Sequence, residues 1–453
     1  MVYKQKVNSY KLSFSLAVFI CGMISVFLSL ILVNEEKRVI ALLPLSYMVL
    51  YALLKSNRKF LNNISLSIIN ISAFCRYIIY PIIIAINFSN GGSYSFDTKV
   101  VYFLVYELIG VFIVIGLFAK KLNISNHVEL ALDKHLGIPN LFLLVILLPI
   151  VLLFPTLLTQ FSISPDVIKS ASVSGIVVVL FNMGVWVLFV YLLVKLSSLK
   201  DNSKFTNWFG FVLATLVGVY YILFNSISGY DVKRWQIISC GIAMVYILIK
   251  VFPARKQIVI IGGAIGIVSA VLLGSIIKFG LFGSSVSFID KFFAIEHFTE
   301  YFGGMKNITR ALQIFNATPK AQGINSTLTD LFSGAPVISA FFDFDSYSTV
   351  SIFQSATHRS DIICPMTAQS IVHFGVIGTP VLAMIMTYLS IVFNAALRKT
   401  SNLYSAYVLI EMVVFTSLFM ELNTTIILGK IWIRLMFLVL QFIENRTKIQ
   451  FKI

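Results

Sequence analysis

The sequence predicts an all-α polytopic integral membrane protein of about twelve transmembrane helices, and three observations lead there. Of the 453 residues, 58% are hydrophobic and only 12% charged, about half the charged share of a soluble domain. Apolar runs of roughly 20 residues, each long enough to cross about 30 Å of hydrocarbon as a helix, recur along the whole chain. The net charge of +16 is gathered in short basic runs between those stretches, which carries topology information and is not the footprint of a nucleic-acid binder. The four cysteines, Cys21, Cys75, Cys240 and Cys364, show no C-x-x-C spacing and imply neither a disulfide framework nor a zinc site.

The expected spans are residues 11–33, 39–54, 62–87, 100–119, 140–159, 173–195, 207–226, 235–251, 257–277, 367–395, 402–420 and 424–443. The first, KLSFSLAVFICGMISVFLSLILV, exceeds a signal-peptide core and runs into NEEKR without a small-x-small cleavage pattern, so it reads as a retained span. Alternate gaps carry Lys4, Lys6 and Lys11; Lys55, Arg58 and Lys59; Lys120 and Lys121; Lys195, Lys200 and Lys204; Lys250, Arg255 and Lys256; Arg398 and Lys399; Arg446, Lys448 and Lys452. That side is cytoplasmic by the positive-inside rule, and both termini lie on it. The opposite connections are short and charge-poor, as in FSNGGSYSFD and QFSISPDVIKSAS, with one exception from Lys278 to Pro365.

The chain therefore divides into nine spans over 1–277, one large extracytoplasmic loop over 278–365 and three spans over 366–453. In the loop, SVSFIDKFFAIEHFTEYFGG sets Phe288, Phe292, Ile295 and Phe302 near helical spacing and predicts an amphipathic helix along the bilayer surface. MKNITRALQIF predicts a second short helix with Lys306 and Arg310 on one face, and NATPKAQGINS a connection.

Arg76 and Arg434 fall well inside apolar segments, where a central arginine costs about 2.5 to 3.5 kcal/mol on insertion scales. Two readings account for them. In the first, Glu411 pairs with Arg434 across a hairpin turning near Asn423, and Glu107 pairs with Arg76 across the turn near Gly91. In the second, Arg76, Arg234, Arg310, Arg359 and Arg434 line one outward polar cavity and grip a phosphate, which the planar guanidinium fork suits. His358, Asp361, His373 and Glu421 are the candidate bases. None of the histidines has metal-ligand spacing. Asp343-Phe-Asp345 is a D-x-D that would chelate a divalent ion in extended backbone, but the pattern is short and common.

From Pro365 the stretch PMTAQSIVHFGVIGTPVLAMIMTYLSIVF resembles the segment after the large periplasmic loop of O-antigen and related oligosaccharide repeat-unit polymerases, the Wzy type, with Phe374-Gly375-Val376-Ile377-Gly378 as the matching residues. The layout is similar over the whole chain: about twelve spans, cytoplasmic termini, one dominant late loop and outward arginines. Two positions depart. Many relatives carry Glu where this chain has Gln369, so that position offers no carboxylate base. The related ligases place a histidine where Cys364 stands here.

The resemblance implies a GT-C-like membrane glycosyltransferase in the bacterial inner membrane, with its active site facing the periplasm. It would move a glycan from undecaprenyl pyrophosphate to a sugar hydroxyl of a second lipid-linked unit, with inversion and without a metal or other cofactor. The five arginines would bind pyrophosphate, and one of His358, Asp361, His373 and Glu421 would deprotonate the acceptor. The implied partners are undecaprenyl-pyrophosphate-linked oligosaccharides, the bilayer and a separate chain-length regulator. Gly375 and Gly378 would allow a neighbouring helix or lipid chain to approach closely. The rivals are a lipid-linked oligosaccharide flippase, from which so large an outer loop is not expected, and an acyltransferase, for which only His127 and His135 stand on the cytoplasmic side.

Overall fold

The computed structural model describes residues 2–55, 63–90, 94–122, 136–155, 157, 175–198, 204–228, 231–232, 234–278, 304–335, 338, 346–358, 363–447 and 450–451. In chain order the helices are α1 Val2–Leu32, α2 Leu42–Lys55, α3 Ile64–Phe74, α4 Tyr80–Ser89, α5 Lys99–Leu122, α6 Ile138–Leu153, α7 Gly175–Ser198, α8 Lys204–Ser226, α9 Arg234–Val251 and α10 Lys256–Lys278. There follow α11 Met305–Ala317, α12 Ile324–Phe332, α13 Thr349–Thr357, α14 Met366–Phe374, α15 Val381–Lys399, α16 Leu403–Ser417 and α17 Thr424–Thr447. Strand pairing among the described residues is confined to two ladders of two residues each. A helix satisfies its own backbone hydrogen bonds, which is what a segment immersed in hydrocarbon requires.

Among the described residues, ten helices are long and apolar enough to cross a membrane. The fifth and eleventh expected spans form apolar helices of 16 and 15 residues, α6 and α16, shorter than that length. α3 and α4 make one continuous span, Ile64–Ser89, interrupted by a π-helical turn at Cys75–Ile79. Such a turn holds one residue more than an α turn and commonly marks a functional position.

The tenth expected span, drawn as continuous over 367–395, is corrected. It is broken into α14 and α15 by Gly375 to Pro380. Gly375 takes φ +72° and ψ −178°, a conformation open essentially to glycine alone, and Pro380 precedes the first residue of α15. Ser370 secures the break by donating to the Gly378 carbonyl at 2.7 Å and accepting from the Leu382 N–H at 3.3 Å. The two glycines thus serve a turn and not a helix crossing: nothing lies within 4 Å of a Cβ built at Gly375, and one at Gly378 would strike Phe374 in the same turn.

Two compact units divide the chain: Met1–Ser125, Phe292–Ala395 and Phe415–Lys430 form the first, and Asn126–Lys291, Ala396–Val414 and Ile431–Ile453 the second. In the first, α1 packs on α2 and α4, and α5 on α2, around buried Tyr47, Tyr51, Tyr77 and Phe112. α11 packs on α13 and α14. In the second, α6 through α10 pack as successive neighbours α6 on α7, α7 on α8, α8 on α9 and α9 on α10. The helix expected at MKNITRALQIF is α11, while the one expected over SVSFIDKFFAIEHFTEYFGG lies outside the described residues.

Candidate functional site

α12 is turned inside out. Its buried residues are Ser326, Thr329 and Asp330, whereas Ile324 and Leu328 are 74% and 44% exposed. A helix packs this way when its outer face meets lipid and its inner face serves polar neighbours. Those neighbours converge on Asp330. Its Oδ1 accepts from the Thr349 N–H at 3.2 Å, the Ser348 hydroxyl at 3.5 Å and the Thr425 hydroxyl at 3.4 Å. Its Oδ2 accepts from the Thr349 hydroxyl and from the Gln369 amide at 3.0 Å, and lies 3.0 Å from His373 Nε2.

Gln369 and His373 stand four apart on α14 and so share a face. The Gln369 amide also donates to Thr349 Oγ1 at 2.8 Å, and its carbonyl accepts the Thr424 N–H at 3.0 Å, at the first turn of α17. The His373 side chain is 2% exposed and that of Asp330 1%. A carboxylate surrounded by donors is an acceptor, which assigns the imidazole proton to Nε2 and leaves the lone pair on Nδ1. Nδ1 is enclosed and has no hydrogen-bond partner. One nitrogen is thus oriented by a carboxylate, and the other carries an unshared lone pair inside the enclosed site. Cys364 is fully buried nearby, and burial together with the Asp330 charge pushes its thiol well above the ordinary value, so it stays protonated.

A second polar set begins two residues earlier on α14. Arg76, on the π-helical turn, donates from Nη1 to Glu107 Oε1 at 2.7 Å and from Nη2 to Thr367 Oγ1 at 3.0 Å. The Thr367 hydroxyl donates on to Glu107 Oε2 at 2.6 Å. Glu421 sits in the turn between α16 and α17, buried beside Ser72 and Arg76, and its Oε2 has no partner. Burial raises its carboxyl to about 7, with the Ser72 hydrogen bond and the Arg76 charge offsetting only part of the rise.

The second unit holds its own pair. Arg434 donates from Nε at 2.9 Å and Nη2 at 2.5 Å to Glu411 Oε2. Glu411 Oε1 accepts from Tyr407 at 2.8 Å and from the Cys240 thiol at 3.3 Å. The guanidinium carbon lies 5.1 Å from the centre of the Trp186 ring. Both pairings of the first sequence reading are therefore present, and each closes an intramembrane arginine on a carboxylate.

The remaining sequence candidates are placed as follows. Arg310 is exposed on α11, and Arg234, half-buried, is the first residue of α9. His358 is exposed at the C-cap of α13 with φ 53°. Arg359 and Asp361 lie outside the described residues, as do Asp343, Asp345, His127 and His135. Among the described residues no three His, Cys, Asp or Glu side chains gather in a way that would hold a metal ion.

The first unit thus brings together, around α14, three sequence candidates from its interior: His373, Arg76 and, beside Arg76, Glu421. The residue that sequence reading missed is Asp330. The polar face Ser326, Thr329, Asp330 has the spacing of a solvated helix face, and nothing local distinguishes the two. No protein-family model, no curated protein and no solved structure matches the chain.

Proposed function

We propose that the protein is a membrane glycosyltransferase that joins lipid-linked oligosaccharide repeat units. It moves a glycan from one polyprenyl pyrophosphate to a sugar hydroxyl of another, at the periplasmic face of a bacterial inner membrane, through a GT-C-like arrangement of twelve spans in which α6 and α16 also cross. The observation that carries this reading is the enclosed His373–Asp330 pair, held at 3.0 Å with Nδ1 left without a hydrogen-bond partner. His373 is seated in the segment whose residues resemble the repeat-unit polymerases, and Asp330 reaches it from α12.

His373 Nδ1 takes the proton of the acceptor hydroxyl as that oxygen bonds to the anomeric carbon. The bond from this carbon to the pyrophosphate oxygen breaks, its electron pair leaves with the pyrophosphate, and the anomeric centre inverts. Asp330 fixes the tautomer and stabilises the imidazolium that forms. Pyrophosphate is already a good leaving group, so the protein needs positive charge and no acid or metal. Arg310 and Arg359 supply that charge from the loop, with Arg76, whose Nε has no hydrogen-bond partner, nearest the base by element; Arg234 and Arg434, expected in the same set from the sequence, belong to the other unit. Removing one such donor costs about a hundredfold to a thousandfold in rate. His358, exposed and at a helix end, yields the role of base to His373.

A host lacking the protein should display surface polysaccharide of a single repeat unit on a ladder gel. His373→Ala and Asp330→Ala supplied in trans should give the same single band at normal protein abundance, and Arg310→Ala or Arg359→Ala should shorten the chains. A normal ladder from His373→Ala overturns the assignment. The second reading, a proton-coupled flippase of the same lipid-linked units, is favoured by the closure of Arg76 on Glu107 and by the neutral-range carboxyl of Glu421. It requires that the deletion strain display no unit at all.

A further inference from the structure

The second unit carries a groove that the glycosyl-transfer reading does not use. α8, α9 and α10 line an apolar space of about 320 Å³ that runs from Phe211 and Leu248 at one end to Leu223 and Ala270 at the other. Along α10 the lining extends from Ile258 to Ala270, about 18 Å at 1.5 Å per residue. That is little more than one leaflet of a hydrocarbon core about 30 Å thick. The groove is open, because its lining residues Ile258, Gly262 and Gly266 are exposed and nothing lies within 4 Å of a Cβ built at either glycine. Every lining residue belongs to a helix long and apolar enough to cross a membrane, so the medium outside it is hydrocarbon.

Charge stands at both ends, with Arg234 at the start of α9 and Arg255 before α10, and Arg255 is the one stacked on a lining ring. Arg255 closes the short turn between α9 and α10, and its guanidinium lies 3.9 Å from the ring centre of Trp208 and 4.7 Å from that of Phe211, itself a lining residue. Its Nη2 donates to Asn207 Oδ1 at 2.9 Å, while Nη1 has no hydrogen-bond partner. Exposed Lys250 and Lys256 flank it in sequence. Stacking on two rings fixes the guanidinium plane in advance, and that planar fork matches phosphate oxygens. A tryptophan at the same level is the usual marker of the headgroup region.

We propose that this groove holds one acyl chain of an anionic diacyl phospholipid, with the lipid phosphate on Arg255. Lipid tails are as apolar as the groove, so the tail contributes fit and the headgroup supplies the preference. A groove one leaflet deep suits an acyl chain; a long polyprenyl chain would overrun it.

The full-length protein, extracted from membranes containing equal phosphatidylglycerol and phosphatidylcholine, is examined by native mass spectrometry with its fold checked by thermal shift. Phosphatidylglycerol should be retained with about tenfold preference, and Arg255→Ala should abolish the preference. Gly262→Leu with Gly266→Leu, which sends side chains into open space, should lower retention of both lipids without lowering the melting temperature. Equal retention of the two lipids by the unaltered protein overturns the proposal. So does unchanged phosphatidylglycerol retention in both variants, or its displacement by stoichiometric polyprenyl phosphate, which would make the groove a polyprenyl site.

Discussion

Gln369 donates to Asp330 at 3.0 Å and accepts from the Thr424 N–H. An amide at this position has a physical reason: a carboxylate there would set two acceptors against each other in a buried site. On the proposed function, Gln369→Glu should abolish chain extension, and it should lower stability by about 2 to 3 kcal/mol, measured by ladder gel and by thermal unfolding in detergent. The double variant Asp330→Asn with Gln369→Glu, which restores one carboxylate and one amide, should recover much of that stability. Glu421 makes a pH prediction. Its folded value of about 7 lies above the ordinary 4.5, so between these values the folded protein keeps a proton that the unfolded chain has lost. Stability therefore falls as pH rises towards 7 and stays lower above it. Glu421→Gln should match the unaltered protein at pH 4.5 and exceed it by up to about 3 kcal/mol at pH 8. Glu421, His373 and Arg76 were legible in the sequence because a charged or titratable residue inside or at the edge of an apolar run is conspicuous. Asp330 was not, because it follows Thr329 in a helix that looks solvated.

At the scale of elements, the approach of α12 to α17 sets the site. A methyl built at Gly334, just past α12, would come within 2.3 Å of the Gly429 Cα on α17. That contact is backbone against backbone, and it brings Asp330 one turn before Gly334 to Thr425 one turn before Gly429. Gly334→Ala must push the helices apart and should cost about 1 to 3 kcal/mol, with chain extension reduced although no reacting group is changed. Gly375→Ala meets a backbone conformation open to glycine alone and should cost a similar 1 to 3 kcal/mol or so, read as a lower melting temperature. The break at Gly375 to Pro380 carried its signals in the letters GVIGTP, but a run so apolar reads as one span when hydropathy is weighed over turn chemistry. α14 consequently ends at His373 and Phe374 and does not continue through the membrane as one rod with α15.

At the scale of the whole molecule, two buried guanidinium–carboxylate pairs among the described residues anchor the helices. Arg76 with Glu107 at 2.7 Å and Arg434 with Glu411 at 2.5 Å are each at most 3% exposed. Removing one partner strands a buried charge, so Glu107→Gln and Glu411→Gln should each destabilise by about 3 to 5 kcal/mol, measured as a fall in melting temperature in detergent. Glu411 and Arg434 could be paired from the sequence because they are nearly equidistant from one turn, and an antiparallel hairpin puts such residues at the same depth.

Composition and the placement of basic runs were enough to determine the solvent of this chain and therefore its form. With so few charges and so many apolar stretches, most of it must lie in hydrocarbon, and hydrocarbon accepts a helix because no other open segment satisfies its own backbone. Which polar groups meet was decided by tertiary structure alone. Asp330 and His373 are 43 residues apart, on helices whose patterns do not say which face turns inward. Periodicity locates a polar face, but only packing determines whether water or a histidine stands opposite it.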